Sequence, residues 1–404
     1  MENLRGVDYL RNKLDCKRPR VLLRYKFYEM KNLVRDLGIA TPPELRWWMG
    51  SLGWCARGVD ALADRLSYYR FAEDNFNIGK IYAENNPDVL FDNAILSAMI
   101  SSCCFLYLAQ GDDGRPRIEV IDGGNATGVI DEQTGLLREG YAVLARDENG
   151  IPITEAYFEP GRTRFREGDV TTVITNPCRY PLLVPVVYRP DATRPFGRSR
   201  ISRACMDIVS GAIRTVKRSE IAAEFYSFPQ KYVTGLSQDA EQMDKWRASM
   251  SSFMTFTVDD DGNKPTLGQF VTQSQGSHVE QLRMFASLFA GETGLTLDDL
   301  GFAADNPSSA EAIKASHETL RLTARKAQKT FGRGFLNAGF LAACLRDDMD
   351  YERRAFADTE MEWEPVFEPD SSALGIIGDA LIKLNTAVPG FMTEDRIRKL
   401  TGIK

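Results

Sequence analysis

The sequence contains very little histidine, and its cysteines are not grouped. Only two histidines occur in 404 residues, and the seven cysteines are scattered, without a CxxC pair or any spacing that joins them to histidine. Zinc sites need clustered cysteine and histidine ligands, and small oxidised scaffolds need a dense framework of cysteines. The composition therefore argues against a zinc site and a disulfide-stabilised fold, and it favours a reducing cytosol.

The motifs of common enzymes are also absent. The sequence has no HExxH or GxSxG, and its nearest approach to GxxxxGK[ST], at residues 77–81, lacks the spacing and the Ser/Thr. A P-loop needs that spacing to place backbone N–H groups around phosphates, so ATP hydrolysis through a P-loop is excluded. We predict a protein that is not an enzyme, with no catalytic residues and no cofactor.

Two groups of aspartates could in principle hold Mg²⁺ for a metal-dependent nucleic-acid-processing enzyme, which is the alternative from a different class. The first group lies in a turn and lacks the EF-hand spacing, and the second ends a predicted helix. Solvated turns are the simpler interpretation, and we predict no metal site. The two groups are Asp259, Asp260 and Asp261, and Asp347, Asp348 and Asp350.

No stretch of the sequence is long and apolar enough to indicate a membrane protein. The N-terminal residues are charged throughout and lack the apolar core of a signal peptide. The longest uncharged apolar stretch, residues 94–109, has sixteen residues, whereas a membrane-spanning helix needs about 20. We therefore predict no membrane partner.

The net charge of −6 is mild but unevenly distributed. Residues 198–228 carry six basic and three acidic side chains, whereas residues 345–370 carry three basic and ten acidic ones. A polyanionic partner, if there is one, is therefore not held by a uniformly basic surface.

A long amphipathic helix is predicted over residues 197–228, where proline is absent and Ser199 can act as the N-cap. At 100° per residue, one face is apolar and the opposite face is basic. The basic row could be a solvated face, contact phosphates, or form salt bridges with a neighbouring subunit. The apolar face holds Ile201, Cys205, Ile208, Ala212 and Val216, and the basic row holds Arg200, Arg203, Arg214, Lys217 and Arg218.

The sequence before this helix changes from helical to strand-like patterns. Helices are predicted within residues 3–70, with Trp47, Trp48 and Trp54 as core or interface anchors. Another is predicted from about Asp88 to Phe105, although residues 101–107 could end as a strand. Short alternating runs over residues 117–176, separated by turn residues such as Asp147–Gly150, indicate an antiparallel β module. A proline-rich connector follows at residues 177–197.

After the basic helix, a small α/β unit is predicted to about residue 277, followed by a second amphipathic helix at 278–291 and a loop at 292–307. Ser308 and Glu311 form a capping box for another long helix that continues to about Leu345, past three glycines that could kink it or permit close packing. A strand is expected in 358–367, and helices near 371–386 and 393–401. The predicted fold class is α+β, mainly α-helical, with a β-rich module.

These pieces, in this order, resemble the portal proteins of tailed bacteriophages, in the branch typical of siphophages. The match is strongest over residues 195–235 and 289–332, and looser over 56–66. The resemblance implies a dodecameric ring at one capsid vertex, with double-stranded DNA passing through its centre. It also implies a virion protein, assembled in the host cytoplasm, whose partners are the terminase large subunit, a head–tail adaptor, the major capsid protein and the scaffolding protein. Another head–tail connector or a minor capsid structural protein is the alternative.

The resemblance also implies how the chain is divided. The expected parts are a wing (1–197), a first stem helix (198–228), a clip (229–277), a second stem helix (278–291), a tunnel loop (292–307), the wing's long helix and strand (308–370), and a short crown (371–404). The tunnel loop would present Asp298, Asp299, Leu300, Phe302 and Asp305 to the DNA channel, and the clip would dock the motor and adaptor through Trp246, Asp259, Asp260 and Asp261.

Overall fold

The computed structural model describes residues 4–35, 43, 47–227, 231–234, 266–269, 275–302, 315–367, 371–394 and 396–397. The chain forms two compact units. The first comprises Met1–Asn32, Gly53–Arg203 and Thr293–Lys404, and the second comprises Leu33–Leu52 and Ala204–Glu292.

Helices and strands both contribute to the first unit, which confirms the α+β class. Its described helices are α1 (Val7–Tyr28), α2 (Trp54–Ala63), α3 (Ile78–Ala83), α4 (Pro87–Ser101), α7 (Glu318–Asp347) and α8 (Ser371–Ala387). The second unit holds all but the first residue of α5 (Arg203–Ser227) and all but the last residue of α6 (Gly276–Thr293).

The strands of the first unit form three antiparallel sheets. A two-stranded sheet pairs β1 (Tyr68–Ala72) with β12 (Glu360–Trp363). A three-stranded sheet has the order β3-β2-β9, and a five-stranded sheet has the order β4-β5-β6-β7-β8. The bounds are β2 Cys103–Gln110, β3 Pro116–Ile121, β4 Ala126–Ile130, β5 Leu137–Arg146, β6 Pro152–Glu159, β7 Arg162–Glu167, β8 Val170–Thr175 and β9 Leu183–Val187.

The predicted β module is present, but one of its strands pairs elsewhere. Strands β4 to β8 form a continuous antiparallel meander, and the predicted turn at Asp147–Gly150 closes the β5–β6 hairpin through a 2.9 Å hydrogen bond from Asp147 N–H to Ile151 O. Gly150 has φ +80°, a left-handed conformation that glycine adopts without strain. Strand β3 instead pairs with β2, which begins at Cys103 directly after α4 has ended.

The proline-rich connector contains strand β9, which the sequence did not predict. Pro185 lies within it and is aligned with Phe105 of β2. Because β9 is at the edge of its sheet, the missing proline N–H removes no hydrogen bond on the open side. The prolines were predicted to be excluded from central strands, and a strand at the edge of a sheet agrees with that prediction.

Helix α1 covers part of one face of the five-stranded sheet. Leu10 and Leu14 of the helix pack with Tyr141, Val143 and Tyr157 of β5 and β6 in one buried cluster. The side chains of charged residues beside this cluster are paired, and Arg11 Nε lies 3.2 Å from Glu155 Oε1. The helix is thereby fixed to the sheet by both apolar contact and charge.

Helix α7 supplies much of the buried core of the first unit. Its predicted capping box, Ser308 and Glu311, lies outside the described residues, and its end at Asp347 is two residues beyond the predicted one. The glycines permit close packing and do not break the helix. A Cβ added at Gly334 would lie 3.1 Å from Val186 Cγ2, and one at Gly339 would overlap with Ile78 of α3.

The tryptophans predicted as anchors near the N-terminus differ in their environments. Trp54 is 6% exposed and opens α2, as an anchor should. Trp47 is 75% exposed, so it is not a core anchor within this chain, and its expected role at an interface stays a prediction.

Replacing Gly339 with alanine should destabilise the protein, because Ile78 is fully buried and cannot move away from the new methyl group. We expect the free energy of unfolding to fall by about 1–3 kcal/mol, the usual cost of overpacking. Gly332→Ala on the same helix is the matched control. Its Cβ would meet no atom closer than 3.5 Å, so the better helix propensity of alanine should leave stability unchanged or raised by up to about 1 kcal/mol. Equal melting curves for the two variants would contradict the close packing.

Candidate functional site

Helix α5 begins later than predicted, and its buried face is rotated. It begins at Arg203, so Ser199 is not its N-cap. The reason is that Ser199 is used by the preceding extended chain, where its Oγ donates to Ile100 O at 2.6 Å and accepts from Ile201 N–H at 3.0 Å. Ile208 and Val216, expected on the buried stripe, are only half-buried. The buried residues of α5 are Cys205, Val209, Gly211, Ala212, Ile213, Thr215 and Ile221.

Helices α5 and α6 pack side by side in opposite directions. Gly211 lies against the ring of Phe285, where an added Cβ would come within 2.8 Å of two ring carbons. Thr215 Oγ1 is 3.2 Å from Gln281 Oε1, and Ser219 Oγ is 3.2 Å from Gln275 Oε1. Positions that advance along α5 therefore meet positions that go back along α6, which defines an antiparallel pair.

Four residues of the predicted basic row lie on α5. Arg203 is exposed at its first turn, and Arg214, Lys217 and Arg218 are half-buried further along. The row therefore remains partly open to solvent.

Arg200 was predicted on this row, and that placement is wrong. It precedes α5, is 8% exposed, and its guanidinium donates to Gly58 O, to Thr293 O at 2.9 Å and to Tyr188 Oη at 3.4 Å. Its backbone N–H donates to Met99 O at 2.8 Å, which ties this residue to α4 before α5 begins at Arg203.

The contacts of Arg200 have a consequence for chain organisation. The chain visits the second unit twice, and Arg200 lies just before the second visit, which begins at Ala204. Thr293 is the first residue after the chain returns from that visit to the first unit. A single buried guanidinium therefore joins the point of departure to the point of return, and both to α2 through Gly58.

The segment after α6 forms a short 3₁₀ helix, Asp298–Leu300, in which Asp299 collects several partners. Its Oδ2 accepts hydrogen bonds from Thr296 N–H and Thr296 Oγ1, both at 2.9 Å. Arg57 Nη2 lies 3.8 Å from Asp299 Oδ1, and His317 Nε2 lies 3.4 Å from Oδ2. Burial alone would raise the pKa of the Asp299 carboxyl, but the Thr296 hydrogen bonds and the charges of His317 and Arg57 bring it below its ordinary value.

The residues predicted for a tunnel loop are placed unevenly. Leu300 is buried, and the ring of Phe302 meets the ring of Trp54 edge-on at 6.4 Å between centroids. Asp298 is exposed, whereas Asp305 lies outside the described residues. Their role in a channel stays a prediction.

The predicted clip is described only at its two strands. Strand β10 (Lys231–Thr234) pairs with β11 (Thr266–Gln269) in antiparallel register. The proposed docking residues Trp246, Asp259, Asp260 and Asp261 lie outside the described residues.

The second aspartate group is used in ion pairs and turns. Asp347 is bound by Arg346 at 2.6 Å and Asp350 by Arg179 at 2.7 Å. Among the residues that the structure describes, no group of three acidic, cysteine or histidine side chains could hold a metal ion. Within the same residues, the search for a helix able to cross a membrane finds none.

Sequence reasoning missed the partners that hold this region together. Gly58 and Thr293 contribute only backbone carbonyls to Arg200, which leave no signal in residue identity. Arg57 is 242 positions from Asp299, so no local pattern links the two residues. His317 likewise reaches Asp299 from a separate segment of the chain, directly before α7.

The chain is similar in sequence to proteins whose class is known. No family model matches the chain. Two curated relatives do: the portal protein of Mycobacterium phage D29 is 24% identical over 399 residues, covering 93% of this chain and 81% of the relative. The portal protein of Mycobacterium phage L5 is 23% identical over 393 residues, covering 92% and 80%. The chain is thus similar to siphophage portal proteins over nearly its whole length, which confirms the resemblance found in the sequence.

Chains of solved structures are similar to this chain at lower sequence identity. A chain of the virion of a native gene transfer agent particle matches with 15% identity and a TM-score of 0.48, covering 95% of this chain and 99% of that one. A chain of the neck of the native particle matches with 14% identity and a TM-score of 0.47, covering 95% and 98%. These scores do not establish a common fold by themselves, and the assignment rests on the sequence relatives.

Replacing Arg200 with methionine should strongly destabilise the first unit. Methionine fills much of the volume but leaves the buried acceptors Gly58 O and Thr293 O without their donor, a loss of about 2–4 kcal/mol in the free energy of unfolding. Arg20→Met, at an exposed position of α1, should change it by less than about 0.5 kcal/mol. Denaturant unfolding measures both, and equal losses would contradict a special role for Arg200.

The Asp299 contacts should make stability depend on pH in a defined direction. A carboxyl whose folded pKa is lowered stabilises the protein above its ordinary pKa of 3.8, and this contribution is lost as the pH falls through the lower folded value. Asp299→Asn should therefore cost about 1–2 kcal/mol at neutral pH, and the difference from wild type should shrink in acid. The exposed neighbour Asp298→Asn serves as control and should show little effect at either pH. A difference that grows in acid would refute the ion-pair account.

Proposed function

We propose that this chain is the subunit of a phage portal, a ring at one capsid vertex through which double-stranded DNA is packaged and ejected. One observation carries the proposal: two proteins named portal protein align with 92–93% of the chain. A similarity that spans both units supports a shared role for the whole chain and not for one domain.

The antiparallel helices α5 and α6 are the part of the chain suited to line a channel. Their contact through Gly211, Phe285, Thr215 and Gln281 makes a narrow two-helix element, with polar side chains along its length. Several copies of such an element, placed around an axis, would form the wall of a channel.

The basic row of α5 (Arg203, Arg214, Lys217 and Arg218) is better suited to contacts between subunits than to DNA. Each lysine or arginine that neutralises a phosphate adds to affinity, and many copies of the row facing the duplex would hold it in place. A channel must let DNA slide. We therefore assign the row to salt bridges between neighbouring copies.

The partners implied by this role follow from its place in the virion. The ring would be non-enzymatic, and the terminase large subunit would supply the energy for packaging. Docking to the terminase and later to a head–tail adaptor would use the clip, and contact with major capsid and scaffolding proteins would use the wing. Residues 371–404 would form a small crown.

The proposal predicts the mass of the purified protein. Mass photometry should show a closed oligomer, a dodecamer of the 45.3 kDa chain in the expected case, without DNA present. The triple variant R214Q/K217Q/R218Q should shift the population toward smaller species, because the inter-subunit salt bridges are removed. A control triple variant in the first unit, R117Q/R138Q/R354Q, changes the net charge equally at exposed positions and should leave the oligomer intact.

The outcomes separate the two parts of the proposal. A wild-type protein that stays monomeric at high concentration would contradict the portal assignment. An intact ring in the R214Q/K217Q/R218Q variant would leave the portal in place and would overturn the inter-subunit role of the basic row.

A further inference from the structure

Strand β8 is an open edge of the five-stranded sheet. It is the last strand in the order β4-β5-β6-β7-β8, and all six of its residues are exposed. Three are apolar and half or more exposed: Val170 at 65%, Val173 at 52% and Ile174 at 54%. Valine and isoleucine side chains in a strand normally pack against a neighbouring element of the fold or against a partner.

The register of the β7–β8 hairpin shows which backbone groups face outward. Asn176 N–H donates to Gly161 O across the hairpin at 2.9 Å, so alternate residues from Asn176 backwards point their hydrogen-bonding groups toward β7. The intervening residues point theirs to the open side. They are Thr171, Val173 and Thr175, and in the described part of the chain no backbone group pairs with them.

This edge lacks the usual protection against pairing. Natural edge strands are blunted by lysine, proline, a bulge or a covering element. The sequence of β8, VTTVIT, has no charge and no proline, and its register with β7 runs without irregularity from Arg162↔Thr175 to Glu167↔Val170. The backbone of β8 is thus in the right conformation to accept a further strand.

A row of arginines lies beside the edge on one face of the sheet. Arg162, Arg164 and Arg166 alternate along β7, and their side chains are 42–56% exposed. They share two buried glutamates: Glu159 holds Arg162 and Arg164, and Glu155 holds Arg166 together with Arg11. The guanidinium groups therefore outnumber the carboxylates that hold them, and this face of the edge is positive.

The two faces of β8 favour different side chains in a partner strand. Thr171, Val173 and Thr175 share the arginine face, because they align with Arg166, Arg164 and Arg162, and Val170 and Ile174 share the opposite face. A strand added to β8 would lie about 10 Å from β7, two strand spacings. Extended arginine and glutamate side chains can together span that gap.

We propose that β8 is the docking edge for an extended segment of another protein, which pairs as a sixth strand with acidic residues on the arginine face and apolar residues on the other. Pairing of β8 with β8 of a second copy is disfavoured, because it would bring two arginine rows toward each other. The described segment of this chain with such an acidic and apolar alternation, β12, already pairs with β1.

A synthetic peptide that alternates glutamate with valine tests the proposal on the full-length protein. Fluorescence anisotropy should show saturable binding that weakens as salt is added. A peptide that alternates lysine with valine should bind at least about tenfold more weakly. Val173→Pro removes one outward N–H without touching a hairpin hydrogen bond and should weaken binding of the glutamate peptide at least about tenfold. Val173→Ala keeps the N–H and should stay within about threefold of wild type.

A second variant keeps the test decisive if Val173→Pro does not fold. Arg166→Gln leaves the backbone unchanged and should weaken the glutamate peptide severalfold, with no effect on a peptide that alternates threonine with valine. No binding of the glutamate peptide, or equal binding of the glutamate and lysine peptides, would overturn the proposal. Loss of the protein's own oligomer in Val173→Pro, with Val173→Ala unaffected, would show that the edge serves contacts between copies and would overturn it as well.

Discussion

The organisation of the chain depends on one buried guanidinium. The buried guanidinium of Arg200 donates to the backbone carbonyls of Gly58 and Thr293 and to the hydroxyl of Tyr188. A buried charge is costly unless its donors are satisfied, so the positions of these oxygens are closely constrained by one another. These contacts tie together the two places where the chain leaves the first unit after Arg203 and returns to it at Thr293.

The two units differ in how their elements pack. Helix α7 packs closely on β9 through Gly334 and on α3 through Gly339, which leaves little room for movement. The antiparallel pair of α5 and α6 has half-buried basic side chains and polar contacts along its length. A closely packed first unit suits a subunit that must keep its position in a ring. A helical pair with polar side chains suits a surface along which a polymer moves.

Periodicity and turn chemistry predicted most of the local structure. The β5–β6 hairpin was predicted from Asp147 to Gly150, the helix α6 from its amphipathic spacing, and the long helix α7 from a capping box upstream of the part that is described. Local patterns could not place Arg200, because a helical wheel drawn from Gly197 assumes a helical backbone. The helix begins only at Arg203, and the Arg200 N–H is bonded to Met99 O, which belongs to a distant part of the sequence. The same limit hid Arg57 beside Asp299 and the pairing of β3 with β2, since each depends on residues brought together only by the fold.

We propose that copies of this chain surround a channel for double-stranded DNA. Electron cryomicroscopy of the purified oligomer tests it most directly. The account predicts a closed ring whose central channel is wider than a DNA duplex and is lined by α5 and α6 of successive copies. A compact assembly without an axial channel, or a ring in which α5 and α6 face outward, would contradict it.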